Sequence, residues 1–594
     1  MSLSPAQNTE GPVRVVVSSD GEAQTVGLLS VSIRLAFNRI PWAELVIADG
    51  DMSEGEFPIS DGDKFAPGKV ISISAGFGDS ESVVFSGIVV RHGVTMDGDN
   101  HSRLVVECRD QASKMTIGRC NANYEDLTDS DIITKLIGKH GLSATVASTE
   151  NKHAELVQYY CSDWDFMLAR ADANGLLVNV SNGAVSVKAP DTSTDAVLKV
   201  TWGMDLLAFQ ADMDARTQLT SAQATAWSHK NQAIVQGSKA DPKVMNKQGN
   251  LTGAMLAKVA SPSNYVLQTS TPQEQAVLTS WAAAAQQKAA LARIRGHMSF
   301  IGSALPKPGC LIEAVGVGAR FKGPVFVSAV EHRMTNGMWT TEVQFGLDPV
   351  WQVELPDVMA PVNGGLLPGV TGLQIGVVMK LDEDPLGEQR IQVKLPVMQA
   401  ETEGIWARLL QPYASNAFGF FFLPEVGDEV LIGYLNDDPC HPMVLGSLYS
   451  SARTPPYALE AANNTKAIVT RSKHKIEFNE ADKIITITTP GNNKVVLDDT
   501  GKSILVQDQN NNSVKLSDSG IALDSPYDIK LSAKGGITLS AVSSIKLEAQ
   551  ADVKAMGLNV NCEAQVGFVG KGSATAEVSA AGQTTIKGAM VMIN

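Results

Sequence analysis

The C-terminal part of the chain repeats a pair of apolar residues every eight positions. The residues in this octad pattern are Ile521, Leu523, Ile529, Leu531, Ile537, Leu539, Ile545, Leu547 and Val553. One residue separates the members of each pair, which is the alternation of a β-strand that places both side chains on one face. A short fixed period is typical of stacked units that share a core only when repeated. The pattern therefore predicts a rod of stacked strands.

Upstream of the octads the same pairs recur at wider and less even spacing, and turn-forming stretches such as residues 490–493 and 510–512 separate them. The pairs are Ile476/Phe478, Ile485/Ile487, Val495/Leu497, Ile504/Val506 and Val514/Leu516. One aliphatic pair per eight residues gives a single chain a thin core. The pattern therefore favours a homotrimer of intertwined chains, whose closure would also remove exposed strand edges. A single-chain β-solenoid is the alternative.

Length and charge limit the classes of function. A chain of 594 residues is long enough for several domains, and its net charge of −15 argues against a nucleic-acid partner, which needs clustered Lys and Arg. Residues 1–12 lack the basic and apolar regions of a signal peptide, so we expect synthesis in the cytoplasm without one. The six cysteines form no C-x-x-C pair, and we expect buried free thiols.

Composition divides the chain into five segments. Residues 1–355 alternate strand patterns with predicted helices at 129–140, 163–174 and 272–295, the last capped by Thr271 and Glu274 as a capping box. Residues 356–373 are a linker rich in Pro and Gly, and 374–452 form a compact strand-rich unit. A second linker at 453–471 precedes the rod, 472–594.

The strand-rich unit contains an ordered set of motifs. Its main residues are Trp406, Phe421, Pro424, Gly427 and Asp428, within the segments 406–408, 419–430 and 446–449. These segments resemble the oligonucleotide/oligosaccharide-binding (OB) domain of VgrG spike proteins and phage baseplate spikes. Residues 420–423 are apolar without a break, which predicts a strand buried on both faces with Val430–Tyr434 as its hairpin partner.

Three further segments carry a resemblance to the same family. Residues 162–166 and 308–332 resemble the phage late-control D and baseplate-hub domain, and 472–478 resembles the start of the VgrG β-helix. The resemblance implies a mainly β fold with some α. It would comprise a hub of two β-barrel subdomains plus helices, an OB-fold barrel, and a C-terminal trimeric intertwined β-helix or β-prism needle.

The family resemblance also implies a function. The chain would be the homotrimeric central spike of a contractile injection system, linking inner-tube and baseplate proteins to a needle that pierces a target membrane. Such spikes carry cargo effectors and a PAAR-type tip protein. The apolar run Met590, Val591, Met592 and Ile593 is the predicted contact for that cap. We expect assembly into a contractile particle and release on firing. Some relatives carry an enzymatic insertion or extension. Because only residues 450–472 separate the OB unit from the rod and the sequence ends at Asn594, we expect neither here.

Motifs for chemistry are sparse. The nine histidines form no H-E-x-x-H or H-x-H pattern and no G-x-S-x-G elbow occurs, so we expect no enzyme activity, no metal and no cofactor. We interpret Trp164 and Phe166 as core residues, His332 as a hydrogen-bonded strand histidine, and the acidic stretches 382–385 and 437–439 as plain turns. The alternative function is an enzymatic tailspike, or a spike with glycan- or peptidoglycan-degrading activity.

Overall fold

The computed structural model describes residues 3–98, 101–398 and 404–593. The chain divides into two compact units, Met1–Ser447 and Leu448–Asn594. Strands dominate both units and helices are few, so the fold is mainly β with some α, as the sequence predicts. In the described residues, no helix is long and apolar enough to cross a membrane.

The first strands of the N-terminal unit alternate buried and exposed residues. They are β1 (Val13–Ser19), β2 (Glu22–Gln24), β3 (Leu28–Ala36), β4 (Trp42–Ala48), β5 (Val70–Phe77), β6 (Ser80–Met96) and β7 (Ser102–Arg109). They pair antiparallel in the order β3-β4-β7-β6-β5-β1-β2. Their inward side chains, such as Ile33, Leu45 and Ile73, are fully buried and form the first core.

A helical layer follows. Its elements are β8 (Cys120–Thr128), α1 (Asp129–Lys139), β9 (Ser143–Val146), β10 (Lys152–Cys161), α2 (Asp163–Ala173), β11 (Leu177–Ser181) and β12 (Ala184–Lys188). Both helices lie where the sequence predicts them, and the hydroxyls of Thr128 and Ser162 cap their first turns. Trp164 and Phe166 are buried in the second core, which confirms their interpretation as core residues.

The remaining elements of this region complete the large sheet. They are β13 (Ala196–Thr201), β14 (Leu206–Met213), β15 (Ala222–Ser228), β16 (Ala233–Gln236), α3 (Gly253–Ala260), β17 (Tyr265–Thr269), α4 (Gln275–Ala292), β18 (Ile294–Ile301), β19 (Leu311–Val315), β20 (Gly323–Thr335) and β21 (Met338–Phe345). Strand β20 pairs with β3, so the two expected barrel subdomains are hydrogen-bonded into one 13-stranded sheet. Val330 of β20 lies in one core and Met334 in another.

Helix α4 is shorter than the sequence predicts. It begins at Gln275 rather than Pro272, and Glu274 takes the N-cap position without a side-chain hydrogen bond. The expected capping box does not form, because the Thr271 hydroxyl lies beside that of Thr269 instead. At the other end Ile294 opens strand β18 and pairs with Met213. The β-branched Ile294 is better placed in this ladder than in a last helical turn.

Helices α1 and α2 are joined by two reciprocal polar contacts. Asp163, the first residue of α2, accepts hydrogen bonds from Lys139 Nζ (2.8 Å) and His140 Nε2 (2.7 Å) at the end of α1. Asp129, the first residue of α1, accepts from Arg170 Nε (2.6 Å) in the last turn of α2. Each carboxylate therefore sits at one helix N-terminus and meets a base at the other helix's C-terminus, where the helix dipoles favour both charges.

Burial and hydrogen bonding oppose each other at these two carboxylates. Burial raises the pKa of Asp129, but its bonds to Arg170 and Asn174 outweigh burial, and the pKa lies below its usual range. The pKa of Asp163 is lowered in the same way, by Lys139, Gln158 and His140. Both groups therefore stabilise the fold above the unfolded pKa of about 3.9, and that stability is lost as the pH falls through the folded values.

A closed barrel ends the N-terminal unit. Its region contains β22 (Gln374–Lys380), β23 (Ile391–Lys394), β24 (Ile405–Leu409), β25 (Ala414–Ser415), β26 (Phe418–Gly419), β27 (Glu429–Tyr434) and β28 (Pro442–Ser447). The barrel order is β22-β23-β24-β28-β27, with β27 returning to β22. Val378, Val393, Ile432 and Val444 fill the interior and are fully buried.

The prediction of a buried strand at residues 420–423 is wrong. These residues form no strand, and Phe421 keeps 83% of its surface exposed. Strand β27 pairs with β22 and β28 instead. The physical reason is that the barrel already closes without residues 420–423, so their apolar side chains lie outside its core.

The C-terminal unit is an antiparallel meander. Its strands are β29 (Thr465–Val469), β30 (Lys475–Asn479), β31 (Ile484–Thr488), β32 (Lys494–Asp498), β33 (Ser503–Gln507), β34 (Ser513–Ser517) and β35 (Gly520–Asp524). Each strand pairs with the next along the chain. The sheet begins inside the segment 453–471 that the sequence assigns to a linker, because Thr465–Val469 pairs fully with β30.

Several smaller interpretations can be compared with the structure. His332 is buried and lies 3.1 Å from the Thr341 hydroxyl, as expected of a hydrogen-bonded strand histidine, and burial lowers its pKa to about 4. Asp384 closes its own turn through backbone N–H groups and Arg390, which agrees with a plain turn. Of the cysteines expected to be buried, Cys108 is buried and Cys120, Cys161 and Cys310 are partly buried. Cys440 and Cys562 are exposed in the single chain, so the expectation is wrong for them there.

Replacing Asp163 with Asn should destabilise the N-terminal unit, because the variant loses the charge that Lys139 and His140 bind. We expect the free energy of unfolding to fall by about 1–3 kcal/mol at neutral pH, and the loss of stability below about pH 4 to become shallower. Denaturant titration over a pH series measures both effects. The matched control is Asp195→Asn at an exposed position; equal effects of the two variants would contradict the contact's role.

Candidate trimerisation surface

The register of the C-terminal sheet places its apolar pairs in two continuous columns on one face. Within each five-residue strand, the second and fourth positions share this face. Ile476 pairs with Ile487. Successive cross-strand pairs continue this column through Val495, Val506 and Val514 to Leu523. We call this face the apolar ladder; it consists of Ile468, Ile476, Phe478, Ile485, Ile487, Val495, Leu497, Ile504, Val506, Val514, Leu516, Ile521 and Leu523.

The opposite face of the sheet is mainly polar. It carries the first, third and fifth residues of each strand, such as Glu477, Thr486 and Lys515. Glu477 accepts hydrogen bonds there from Lys475 Nζ (2.9 Å) and from the Tyr457 hydroxyl. The two faces therefore differ in chemistry, as in a sheet with one solvated side and one covered side.

The hairpins of this sheet repeat with a second period, which the sequence analysis did not predict. Strands β30, β32 and β34 begin at residues 475, 494 and 513, so hairpins recur every 19 residues. Three five-residue loops repeat with them and begin at Thr470, Thr489 and Asp508. In each loop the first side chain accepts from the backbone N–H of the fifth residue, at 3.1, 3.2 and 2.9 Å.

The fourth residue of each of these loops has a positive φ. Lys473, Asn492 and Asn511 have φ values of 68°, 67° and 66°. Asn is the residue that best tolerates this left-handed conformation after Gly. Aligning the loops at this position would have revealed the 19-residue period from sequence alone.

The apolar ladder is uncovered in the single chain. Ile476, Leu497 and Ile504 keep 37%, 38% and 41% of their surfaces exposed, and Ile521 keeps 73%. A contiguous exposed apolar face of this extent marks an interaction surface. The apolar ladder is therefore a candidate surface for association with another chain.

The octad residues beyond β35 are also exposed. Among the described residues from 525 to 593 no strand is assigned, although each pair keeps its alternation. Six octad residues have exposed fractions from 53% to 71%: Ile529, Leu531, Ile537, Leu539, Ile545 and Leu547. Val553 is exposed at 63%, and so are Met590, Val591, Met592 and Ile593 at the predicted cap contact, at 48% to 87%. The roles assigned to these residues stay predictions.

The OB motif residues separate into turn and surface positions. Gly427 (φ 86°) donates from its backbone N–H to the Val378 carbonyl at 2.8 Å, and Asp428 Oδ2 accepts from Glu425 N at 2.8 Å. These bonds fix the turn that begins β27. Pro424 is buried beside this turn, and Trp406 is half-buried on β24.

An aromatic arm projects from the barrel between β24 and β27. Its rings are Tyr413, Phe418, Phe420, Phe421 and Phe422, each at least 49% exposed. The arm is ordered by its own contacts: the Tyr413 and Phe418 rings lie 5.8 Å apart, and Phe420 N donates to the Tyr413 carbonyl. It is a second uncovered apolar surface in the chain.

Family models match three successive segments. The Alg8 N-terminal domain matches residues 9–336. The type VI secretion system/phage-baseplate injector OB domain matches 374–449, which contains the closed barrel. The phage baseplate V C-terminal trimerisation domain matches 484–553, which contains β31 to β35 and the octads. The part of the ladder from Ile485 to Leu523 thus lies in a segment that matches a trimerisation domain.

Curated proteins match only part of the chain. Actin cross-linking toxin VgrG1 of Vibrio cholerae is 31% identical over 153 residues, which are 24% of this chain and 13% of that protein. The type VI secretion system spike protein VgrG3 of Vibrio cholerae is 31% identical over 119 residues, 18% of this chain and 11% of that protein. The matches therefore span about an eighth of these relatives' length.

A solved structure resembles part of the chain. The 43 kDa tail protein of prophage MuSo2 from Shewanella oneidensis is 12% identical and covers 57% of this chain and 98% of its own, with a TM-score of 0.43.

Replacing Ile487 with Asp should abolish association of the chains, because each copy would place an unpaired carboxylate on the ladder. Thr486→Asp is the matched control, since Thr486 neighbours Ile487 on the same strand but faces the polar side. Light scattering should find a trimer for the unmodified protein and the control, and a smaller species for Ile487→Asp. A monomeric unmodified protein would contradict the assignment of the ladder.

Proposed function

Because the chain belongs to the family defined by the Alg8 N-terminal domain and carries the injector OB and trimerisation domains, we propose that it is the homotrimeric central spike of a contractile injection system. The observation that carries the proposal is the apolar ladder, which is uncovered in one chain and which from Ile485 to Leu523 lies in the segment matched by the trimerisation domain.

Threefold association would bury three ladders against one another. A fully buried Val, Leu or Ile side chain contributes about 1.5–3 kcal/mol relative to an exposed one. The ladder supplies such residues in every strand from β30 to β35. Because ladder residues such as Ile476 and Leu497 are already more than half covered within the sheet, each would contribute part of this value to association.

The region from 525 to 593 gives separate support to an intertwined arrangement. Its octads alternate like strands, yet its described residues pair with no strand of their own chain. Backbone N–H and C=O groups that are removed from water need partners. Neighbouring copies would supply them in an intertwined needle, and the hydrogen bonds would then be spread along the needle without a single weak hinge.

The partners of this spike are inferred from its domains. The N-terminal domain would bind inner-tube and baseplate proteins, and the needle would meet the target membrane during firing. Cargo effectors would travel with the spike, and a PAAR-type tip protein would bind the residues 590–593. The spike would be made in the cytoplasm and leave it with the particle.

A structural role rather than catalysis is supported by how the chain uses its buried carboxylates. Asp129 and Asp163 are engaged by the bases of the helix pair, and Asp110 accepts from the backbone N–H groups of Ala112 and Gly183. These carboxylates stabilise local structure. The Vibrio cholerae relative named as a toxin is a reason to test for catalysis directly.

Cells that lack this chain should form no functional contractile particles, and the unmodified chain should restore them. Chain carrying Ile487→Asp should fail to restore them, while Thr486→Asp should succeed. Electron microscopy of purified particles and a delivery assay measure the two outcomes. Normal particles in the absence of the chain would overturn the proposal. Glycan or peptidoglycan degradation by the purified protein, abolished by a single carboxylate substitution, would favour the enzymatic alternative.

Placing charge at the predicted cap contact should weaken cap binding without affecting assembly. In the double variant Val591→Asp, Met592→Asp, we expect a trimer by light scattering and at least about a tenfold loss of affinity for a PAAR-type protein, which corresponds to about 1.4 kcal/mol. Calorimetry measures this affinity. Lys587→Asp, a nearby polar position, is the control; unchanged binding by the double variant would remove the cap assignment.

A further inference from the structure

Two cysteines face each other where strands β8 and β10 meet. Cys120 opens β8, Cys161 ends β10, and the two are directly opposed in the antiparallel register. Directly opposed residues place their side chains on the same face, with Cα atoms about 4.5–5.5 Å apart. A disulfide needs a Cα separation of about 4.4–6.8 Å. Both residues are free thiols and both are only partly buried.

A bulge in β10 creates this opposition. The register runs regularly to Gln158 opposite Ala122 and then shifts by one residue. Without the shift Cys161 would lie opposite Arg119. Tyr160 takes up the extra residue with φ 39°, and its backbone N–H donates to Asn121 Oδ1 at 2.8 Å. The strained backbone is therefore held in place by a specific hydrogen bond, and it aligns the two thiols.

The two thiols differ in their surroundings. Lys139 Nζ lies 3.7 Å from Cys120 Sγ, so the Lys139 ammonium can donate a hydrogen bond to the Cys120 sulfur. Cys161 packs against the second core, and burial raises its pKa. We therefore expect Cys120 to attack a disulfide reagent first and Cys161 to react in the second step.

The strand pair also holds the segment that leads to the barrel. Arg119, next to Cys120, donates to the carbonyl of Tyr160 (3.3 Å) and, across the fold, to those of Val358 (3.3 Å) and Asp357 (3.1 Å). A covalent link between β8 and β10 would fix both sides of this guanidinium. The anchorage of residues 357–358 would then depend on the state of the two thiols.

We propose that Cys120 and Cys161 form a reversible disulfide site that is oxidised by small-molecule disulfides such as oxidised glutathione. The Cys120 thiolate attacks the reagent, forming a mixed disulfide and releasing one reduced thiol. The Cys161 thiol then loses its proton to solvent and attacks the Cys120 sulfur, releasing the second reduced thiol. Two protein thiols are oxidised and one reagent disulfide is reduced. The site is independent of the proposed role as a spike.

Oxidation of the full-length protein with oxidised glutathione tests this site. Peptide mass spectrometry after alkylation of free thiols should find a peptide that joins Cys120 to Cys161, and dithiothreitol should release it. Linking the strands should slow deuterium exchange in β8 and β10 and raise the midpoint of thermal unfolding by a few degrees. The exposed Cys440 serves as an internal control that carries glutathione without forming an internal link.

Single variants separate the two steps. Cys161→Ser should stop at a glutathione adduct on Cys120, whereas Cys120→Ser should leave Cys161 largely unmodified. Neither variant should show the rise in thermal midpoint. The proposal is overturned if the unmodified protein retains both thiols under conditions that modify Cys440, or if Cys120 accumulates glutathione without the internal link.

Discussion

A five-residue β-strand places two side chains on one face and three on the other, and the C-terminal unit is built on that alternation. The six strands from β30 to β35 together form two columns of apolar residues, with a mainly polar reverse face. A single sheet has nothing to lay against these columns, so the folded chain is incomplete by itself. The trimerisation family match, the alternation of the octads and the exposure of Ile521 all follow from the same constraint. In the single chain these residues stay exposed or half-buried.

The N-terminal unit meets its requirements internally. Strand β20 contributes residues to two hydrophobic cores and joins what would otherwise be separate sheets. Asp129 and Asp163 each link the N-terminus of one helix to the C-terminal end of the other. Trp351 and Gln352 extend this network: Lys288 Nζ lies 4.7 Å from the centre of the Trp351 ring and pairs with Asp172, which also accepts from Gln352 N. These contacts hold Trp351 and Gln352, which follow the last strand of the large sheet, against α2 and α4.

Short sequence patterns predicted the features that depend only on neighbouring residues. The apolar pairs of β30 to β35 and the buried Trp164 depend on strand alternation or on helix amphipathicity. The same reasoning was wrong for residues 420–423. Four consecutive apolar residues do not reveal from sequence whether they lie inside the barrel or outside its core. Thr271 failed as a cap because Thr269 competes for its hydroxyl. The facing of Cys120 and Cys161 depends on one bulged residue, which no spacing rule reveals.

The 19-residue hairpin gives the C-terminal sheet a unit of length. Two strands separated by about 4.8 Å each mean that one inserted or lost hairpin changes the sheet by about 10 Å. Such a change preserves the face on which every later side chain lies, because whole hairpins keep the alternation in phase. The loops support this, since Thr489 and Asp508 form the same turn in consecutive hairpins. Gene duplication within this segment would therefore alter reach in discrete steps while leaving the contacts between chains intact.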